Sequence, residues 1–231
     1  MLILAIDTAT AQVSVAMGDA GTVVGETRFV GGRRHAEQLA PAIAGVCEGT
    51  GVELSQLAAV AVGIGPGLFT GLRVGVTTAK VMAQALRVPV VPVPSLDLVA
   101  YPLRHAHRLV VAVLDARRGE VFHAAYRTVP GGVQRVTDYA VAAPEELAAD
   151  LVARGEDVLL AGDGVARHAD ALRAVDRAED AGPAFAMPSV AALVELATGR
   201  MEREEFDATP ASVEPMYLRA SDAELSWNVA S

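Results

Sequence analysis

Three aspartates follow predicted strands, at positions from which a carboxylate could bind a magnesium–nucleotide complex. Asp7 and Asp115 each follow a continuous apolar run, and Asp163 lies between two glycines. Because a short apolar run bounded by turn residues is typical of a buried strand, we expect these carboxylates, and Thr8 beside the first, at strand ends. Two interpretations stay open: a vestigial nucleotide cleft formed by the four residues, or aspartates that cap turns by accepting backbone N–H groups.

A glycine-rich segment at residues 63–75 separates an apolar run from a helical pattern. Glycine permits positive φ and close backbone approach, and a helix N-terminus can bind an anion. The segment is neither a Gly-Lys-Ser/Thr phosphate loop nor a proper G-x-G-x-x-G dinucleotide motif. We therefore interpret it chiefly as a structural turn that directs the following helix towards a partner, with anion binding secondary. Its members are Gly65, Pro66 and Gly67, with Thr70 and Arg73 after them.

The remaining reactive side chains do not form a recognisable catalytic group. His35 begins a helical pattern, but Leu39 stands where a second histidine would have to lie to share a metal on the same helix face. We therefore predict that the chain binds no metal. The charged turn at Arg117, Arg118 and Glu120 is either a solvated turn or a contact with another macromolecule.

The order of predicted elements repeats in the two halves of the chain. Each half begins with a strand ending in aspartate, continues through a hairpin into further strands, and then alternates helix, strand and helix. A duplication of this kind, with an aspartate ending each first strand, is typical of the actin-like ATPase fold. We predict an α/β protein with an N-terminal lobe at 1–104 and a smaller C-terminal lobe, including a tail, at 105–231.

Two predicted helices carry apolar or small residues at helical spacing, which indicates burial against the core or against a partner. In the second helix, Gly71, Gly75, Ala79 and Ala83 lie four residues apart and would allow close packing. Under the partner hypothesis, the interface consists of Leu39, Ile43 and Val46 of the first helix and Gly71, Leu72, Gly75, Val76, Ala79 and Ala83 of the second.

Composition limits the classes of function. Hydrophobic residues make up 52% of the 231 residues, which excludes intrinsic disorder. A net charge of -9 argues against strong nucleic-acid binding by this chain alone. The single cysteine, Cys47, excludes an internal disulfide. No apolar run is long enough for a membrane span and no signal peptide is apparent, so we expect a cytoplasmic protein.

Three segments, taken together, resemble the TsaB (YeaZ) family, the non-transferring subunit of the bacterial threonylcarbamoyladenosine machinery. They are Ile-Asp-Thr-Ala-Thr at 6–10, the glycine segment at 63–75, and Leu-Asp-Ala-Arg-Arg-Gly-Glu-Val-Phe at 114–122. Pro-Met-Tyr-Leu-Arg at 215–219 is also similar to the family. The similarity covers nearly the whole chain in order and spacing. Leu68 stands where the family has serine, a departure that affects no proposed chemistry.

The resemblance implies an actin-like, hexokinase-type (ribonuclease H-like) two-lobed fold with mixed sheets. It implies a heterodimer with TsaD, which carries the metal and transfers the threonylcarbamoyl group, and a homodimer when the chain is alone. TsaE would join the complex, and tRNA would be reached through it. The product would be N6-threonylcarbamoyladenosine beside the anticodon of tRNAs that read codons starting with A.

On this basis we expect an accessory subunit without independent catalysis. No cofactor is expected to bind tightly, although ATP or ADP could lie at the interface of the complex. Two alternatives remain. One is a stand-alone ATP-dependent kinase or ATPase of the same fold, and the other is a metal-dependent, peptidase-like enzyme.

Overall fold

The computed structural model describes residues 1–31, 34–206 and 209–219 and contains two mixed β-sheets. The first sheet has the strand order β3-β2-β1-β4-β5, in which β1 pairs with β2 antiparallel and with β4 parallel. Its strands are β1 (Leu2–Asp7), β2 (Gln12–Asp19), β3 (Thr22–Val30), β4 (Ala59–Gly63) and β5 (Val90–Val93).

The second sheet repeats this arrangement in the order β11-β10-β6-β7-β8, with β9 added beside β7. Its strands are β6 (Leu109–Arg117), β7 (Glu120–Val129), β8 (Gly132–Arg135), β9 (Ala140–Ala142), β10 (Val158–Ala161) and β11 (Ala178–Asp180). The central strand again pairs antiparallel with the strand that follows it and parallel with a later one. The predicted duplicated, actin-like α/β fold with mixed sheets is confirmed.

Seven α-helices complete the described part of the chain. They are α1 (His35–Thr50), α2 (Phe69–Leu86), α3 (Ser95–Ala100), α4 (Pro144–Arg154), α5 (Asp163–Arg167), α6 (Ala169–Leu172) and α7 (Val190–Glu202). The sequence pattern predicts one helix over 165–175. The structure instead ends α5 at Arg167 and begins α6 at Ala169, because His168 between them has φ of -116° and ψ of 30°, which are not helical. No helix in the described ranges is long and apolar enough to cross a membrane.

The first sheet is covered by helices on both faces. Strands β1, β4 and β5 are apolar along nearly their whole length because neither of their faces meets solvent. One face packs against α1 and α2, with Leu4, Val62 and Val76 in the shared core. The other face packs against α7, through Leu193 and Val194. Helix α7, although late in the chain, therefore belongs to the first sheet. In the segment 209–219, Val213 lies in the core of the first sheet, whereas Leu218 packs against the core of the second. The predicted boundary at residue 104 separates the strands of the two sheets but not these later elements.

Helix α3 joins the two sheets. Leu96 and Val99 of this helix share a core with Val110 and Leu114 of the second sheet. Asp97 accepts hydrogen bonds of 2.8 Å from the hydroxyls of Tyr126 and Tyr139, which arise from the second half of the chain. Burial raises the pKa of the Asp97 carboxyl. This contact fixes the end of the first β–α unit against the second sheet.

Candidate functional site

The glycine turn lies between β4 and α2 and packs directly on the turn that follows β1. A Cβ atom placed on Gly67 would lie 2.2 Å from the carbonyl oxygen of Ala9, and the Leu68 N–H donates to that oxygen at 2.7 Å. Gly65 has φ of 102°, a conformation that a residue with a side chain rarely adopts. The turn therefore needs glycine because its backbone touches another backbone and because it changes direction sharply.

Helix α2 continues this close approach along its first two turns. A Cβ atom on Gly71 would lie 2.1 Å from the carbonyl oxygen of Thr8, and one on Gly75 would lie 2.2 Å from the Thr8 hydroxyl oxygen. The Thr8 hydroxyl donates a 2.7 Å hydrogen bond to the Gly71 carbonyl. The two glycines of the small-residue stripe therefore pack against the turn that follows β1 in the same chain.

The predicted partner interface requires correction, because all nine of its side chains or glycine positions are buried within the chain itself. The apolar members are at most 7% exposed, and most of them belong to the core between the first sheet and its helices. The helical periodicity correctly identifies a buried stripe, but the burying surface is the protein's own sheet. The nine residues are Leu39, Ile43, Val46, Gly71, Leu72, Gly75, Val76, Ala79 and Ala83.

The outward faces of the same two helices show a different set of residues. On α1 the small residues Ala40, Ala44 and Gly45 are exposed, together with Glu37, Pro41 and Glu48. A Cβ atom on Gly45 would meet nothing within 4 Å. On α2 the exposed side chains include Val81, which is 60% exposed, and Thr77. The sequence signal for this face was present, since alanines recur at positions 36, 40 and 44, opposite the apolar stripe.

Asp7 is fully buried at the end of β1. Its carboxylate accepts hydrogen bonds from the Ala9 N–H at 3.2 Å and from the Ser95 hydroxyl at 3.1 Å. The Ser95 oxygen in turn accepts from the Gly65 N–H at 3.2 Å, which connects the carboxylate to the glycine turn. A Cβ atom on Gly63 would lie 1.8 Å from the carboxylate. Burial raises the pKa of the Asp7 carboxyl from 3.8 to about 6, against the opposing effect of these hydrogen bonds.

The other two predicted carboxylates lie together at the end of the second sheet. Asp163 accepts a 2.9 Å hydrogen bond from the Asp115 N–H, and burial raises the pKa of the Asp163 carboxyl. The Asp115 carboxylate forms 3.2 Å ion pairs with Arg117 and Arg167 and lies 3.4 Å from a ring nitrogen of His168. The carboxylate oxygens of both aspartates therefore make hydrogen bonds or ion pairs within this chain.

These contacts test whether the chain alone fits a magnesium–nucleotide complex. The Asp7 carboxylate is enclosed by Gly63 and Ser95, the Thr8 hydroxyl bonds to α2, and the Asp115 carboxylate is paired with arginines. A cavity of about 480 Å³ is lined by residues such as Arg28 and Phe185, and by none of the four predicted cleft residues. The side chains present do not fit a magnesium-bound nucleotide. The turn-capping interpretation accounts for Asp7 and Asp115, whose carboxylates accept from the N–H groups of Ala9 and Arg117, two residues further on.

His35 joins three elements at the start of α1. Its Nε2 atom lies 2.7 Å from the Thr10 carbonyl oxygen, so this nitrogen carries a proton and donates. The ring also lies beside Gly71, where a Cβ atom would be 3.3 Å from Nε2. Within the described ranges, no group of three or more histidine, cysteine, aspartate or glutamate side chains could hold a metal ion. In this structure, the hydrogen bond from His35 connects the start of α1 to the turn after β1.

The segment 209–219 lies along α2. The Lys80 ammonium donates to the carbonyl oxygens of Ala211 and Val213, at 2.9 and 2.8 Å. Arg73, one of the predicted turn residues, lies 4.0 Å above the Phe69 ring and donates to the Tyr217 hydroxyl at 3.3 Å. Thr70 is exposed beside them. Pairings between residues more than 130 positions apart leave no periodic signal in the sequence.

The charged turn at 117–120 closes the β6–β7 hairpin. Arg117 and Arg118 both have positive φ, of 64° and 56°, and Gly119 follows with 79°. Glu120 accepts a 2.6 Å hydrogen bond from Arg219, so the turn is connected to the C-terminal segment. The interpretation as a contact with another macromolecule stays a prediction.

Comparisons with known proteins agree with the sequence resemblance. Residues 27–227 match the family model described as "TsaD: tRNA N6-adenosine threonylcarbamoyltransferase". A Bacillus subtilis protein named tRNA threonylcarbamoyladenosine biosynthesis protein TsaB is 30% identical over 98% of both chains.

Solved structures give the same result. A Pseudomonas aeruginosa crystal structure, described as similar to peptidase YeaZ, matches 94% of this chain and 99% of its own, with 32% identity and a TM-score of 0.80. The ethanolamine utilization protein EutJ from Carboxydothermus hydrogenoformans matches 86% of this chain and 89% of its own, with 12% identity and a TM-score of 0.52. The latter similarity concerns the fold alone.

Proposed function

The chain belongs to the TsaB family of tRNA threonylcarbamoyladenosine biosynthesis proteins, and we propose that it is the accessory subunit that binds and activates TsaD. Its role lies in the biosynthesis of threonylcarbamoyladenosine in tRNA. In the proposal, TsaD transfers the group to N6 of the adenosine beside the anticodon, in tRNAs that read codons starting with A. TsaE joins the complex, and tRNA is reached through it.

The observation that carries this proposal is the exposed face of α1 and α2. The helices pack side by side on the same face of the first sheet, so their outward residues form one surface. Ala40, Ala44 and Gly45 are small enough to allow the backbone of a partner helix to come close, because interhelical distance depends on the side chains at the contact. Val81 supplies an exposed apolar anchor of the kind found in interfaces.

The positions of the carboxylates support an accessory role over the enzymatic alternatives. A kinase of this fold needs a carboxylate free to hold a metal-bound nucleotide, whereas Asp7 is enclosed and Asp115 is paired with two arginines. We therefore place any ATP or ADP of the complex at the interface with the partner, where groups from both chains are available. The chain itself is proposed to position TsaD without supplying a nucleophile or a base.

Arginine at Ala44 or at Val81 is expected to abolish binding to TsaD while the chain stays folded. Each substitution adds a long, charged side chain at the centre of the proposed interface but at an exposed position of the free chain. We expect the dissociation constant, measured by calorimetry or co-purification, to rise by about 100-fold or more, as for loss of a central anchor.

Val152→Arg is the matched control, because Val152 is 54% exposed on α4, outside the α1–α2 face. It should bind TsaD as the unchanged chain does. Arginine at Val76 or Ala79 would not test the interface, since both positions are buried in the core. Undiminished binding by Ala44→Arg and Val81→Arg would show that TsaD contacts another surface.

A further inference from the structure

The outer edge of β3 is the longest unpaired strand edge in the described part of the protein. Strand β3 has nine residues and ends the first sheet, and no described strand pairs with its outer side. The other sheet edges are short or interrupted: β5 and β8 have four residues each, β5 contains Pro92, and β11 has three residues, two of them acidic. Natural sheets protect their edges by these means, whereas a long free edge is a template for further pairing.

Strand β3 also exposes large apolar side chains. Val24 is 51% exposed, Phe29 is 41% exposed and Val30 is 67% exposed. Helix α1 and helix α7 pack on the two faces of this strand, so the faces are partly covered while the edge stays open. An apolar strand with unpaired backbone groups suits recognition by strand addition.

The charges on β3 are arranged symmetrically about Thr27. Glu26 and Arg28 lie on the same face of the strand and form an ion pair of 3.0 Å within it. If a second β3 strand pairs antiparallel with Thr27 opposite Thr27, Glu26 of each copy lies opposite Arg28 of the other.

From this self-complementary pattern we infer that the β3 edge pairs with β3 of a second copy of the chain, in antiparallel register centred on Thr27. The pairing joins two first sheets, each of five strands, into one continuous sheet across a two-fold axis. It places two pairs of opposite charges across the junction, and opposite charges facing each other across antiparallel strands stabilise the pair. The surface is separate from the α1–α2 face and does not depend on the proposed function.

The geometry limits the strength of this association. Val24 is an extra residue opposite Met17 and Gly18, so β3 has a bulge there and regular pairing is confined to about residues 25–29. A short ladder of this kind predicts a weak dimer that forms with rising protein concentration. Since its charged pairs lie at the surface, added salt should weaken it further.

Charge-swapped variants test the register directly, by sedimentation equilibrium from micromolar to millimolar concentration. All proteins carry Val81→Arg, so that association through the α1–α2 face does not contribute. Glu26→Arg alone sets arginine opposite arginine, and Arg28→Glu alone sets glutamate opposite glutamate. Each should weaken the dimer by about tenfold or more, since two like-charge pairs replace two opposite-charge pairs.

Two combinations of these substitutions restore opposite charges across the junction and complete the test. An equimolar mixture of the Glu26→Arg and Arg28→Glu proteins should form a heterodimer, and the double variant should dimerise as the starting protein does. The exposed pair Asp170 and Arg173, swapped in the same way, is the matched control and should change nothing. A starting protein that stays monomeric at millimolar concentration would overturn the inference. So would single variants that dimerise normally, or a mixture that stays monomeric.

Discussion

Gly71→Ala is expected to destabilise the protein by about 3 kcal/mol or more, although alanine is the better helix former. The new Cβ atom would lie 2.1 Å from the Thr8 carbonyl oxygen, a contact that α2 can relieve only by moving away from the turn after β1. That movement would also disturb the His35 contact beside Gly71. Overpacking of a well-packed site costs about 1–3 kcal/mol, and displaced backbone hydrogen bonds add to this.

Gly45→Ala is the matched control, because this glycine also lies within a helix. A Cβ atom there meets nothing within 4 Å, so only helix propensity changes, and we expect a stabilisation of about 0.5–1 kcal/mol. Urea unfolding of both variants gives the two free energies. Equal effects of the two substitutions would show that α2 does not approach the Thr8 backbone closely.

Asp7→Asn is expected to remove a pH dependence of stability worth about 3 kcal/mol. Burial raises the pKa of the Asp7 carboxyl to about 6 in the folded chain, from 3.8. Between these two values the folded state binds more protons than the unfolded state, so the free energy of unfolding falls as pH rises from about 4 to about 6. A pKa difference of about two units corresponds to about 3 kcal/mol. Asparagine keeps the shape of the side chain and cannot ionise.

Urea unfolding at several pH values between 4 and 7 measures this difference. Relative to the unchanged chain, Asp7→Asn should gain stability progressively over this range. Asp170→Asn, at an exposed side chain that pairs with Arg173, corrects for the change in net charge. Parallel curves for Asp7→Asn and the unchanged chain would show that the buried carboxyl is not protonated at mildly acidic pH.

The fold could be predicted from the sequence because its signals are local. The apolar runs that end at Asp7 and Asp115 mark the two central strands, and the repeated order of elements indicates the duplication. The glycine turn was identified by residue type alone. The sequence does not indicate the short strands β9 and β11, since three residues provide too little pattern to distinguish a strand from a loop.

The candidate site was less predictable, because periodicity shows that a stripe is buried but not what buries it. Gly71, Gly75 and Val76 form such a stripe, and their neighbours proved to be Thr8 and the first sheet. The surface proposed to bind TsaD instead consists of residues that the fold leaves exposed, such as Ala44 and Val81. The enclosure of Asp7 by Ser95 joins residues 88 positions apart and could be found only from the structure.

The most direct test of the accessory role is the rate of threonylcarbamoyladenosine formation in tRNA by purified TsaD and TsaE, supplied with ATP and an activated threonylcarbamoyl donor, with and without this chain. We predict that formation requires the chain, that Val152→Arg supports it fully, and that Ala44→Arg and Val81→Arg do not. Modification at the full rate without the chain, or with either α1–α2 face variant, would contradict the proposal.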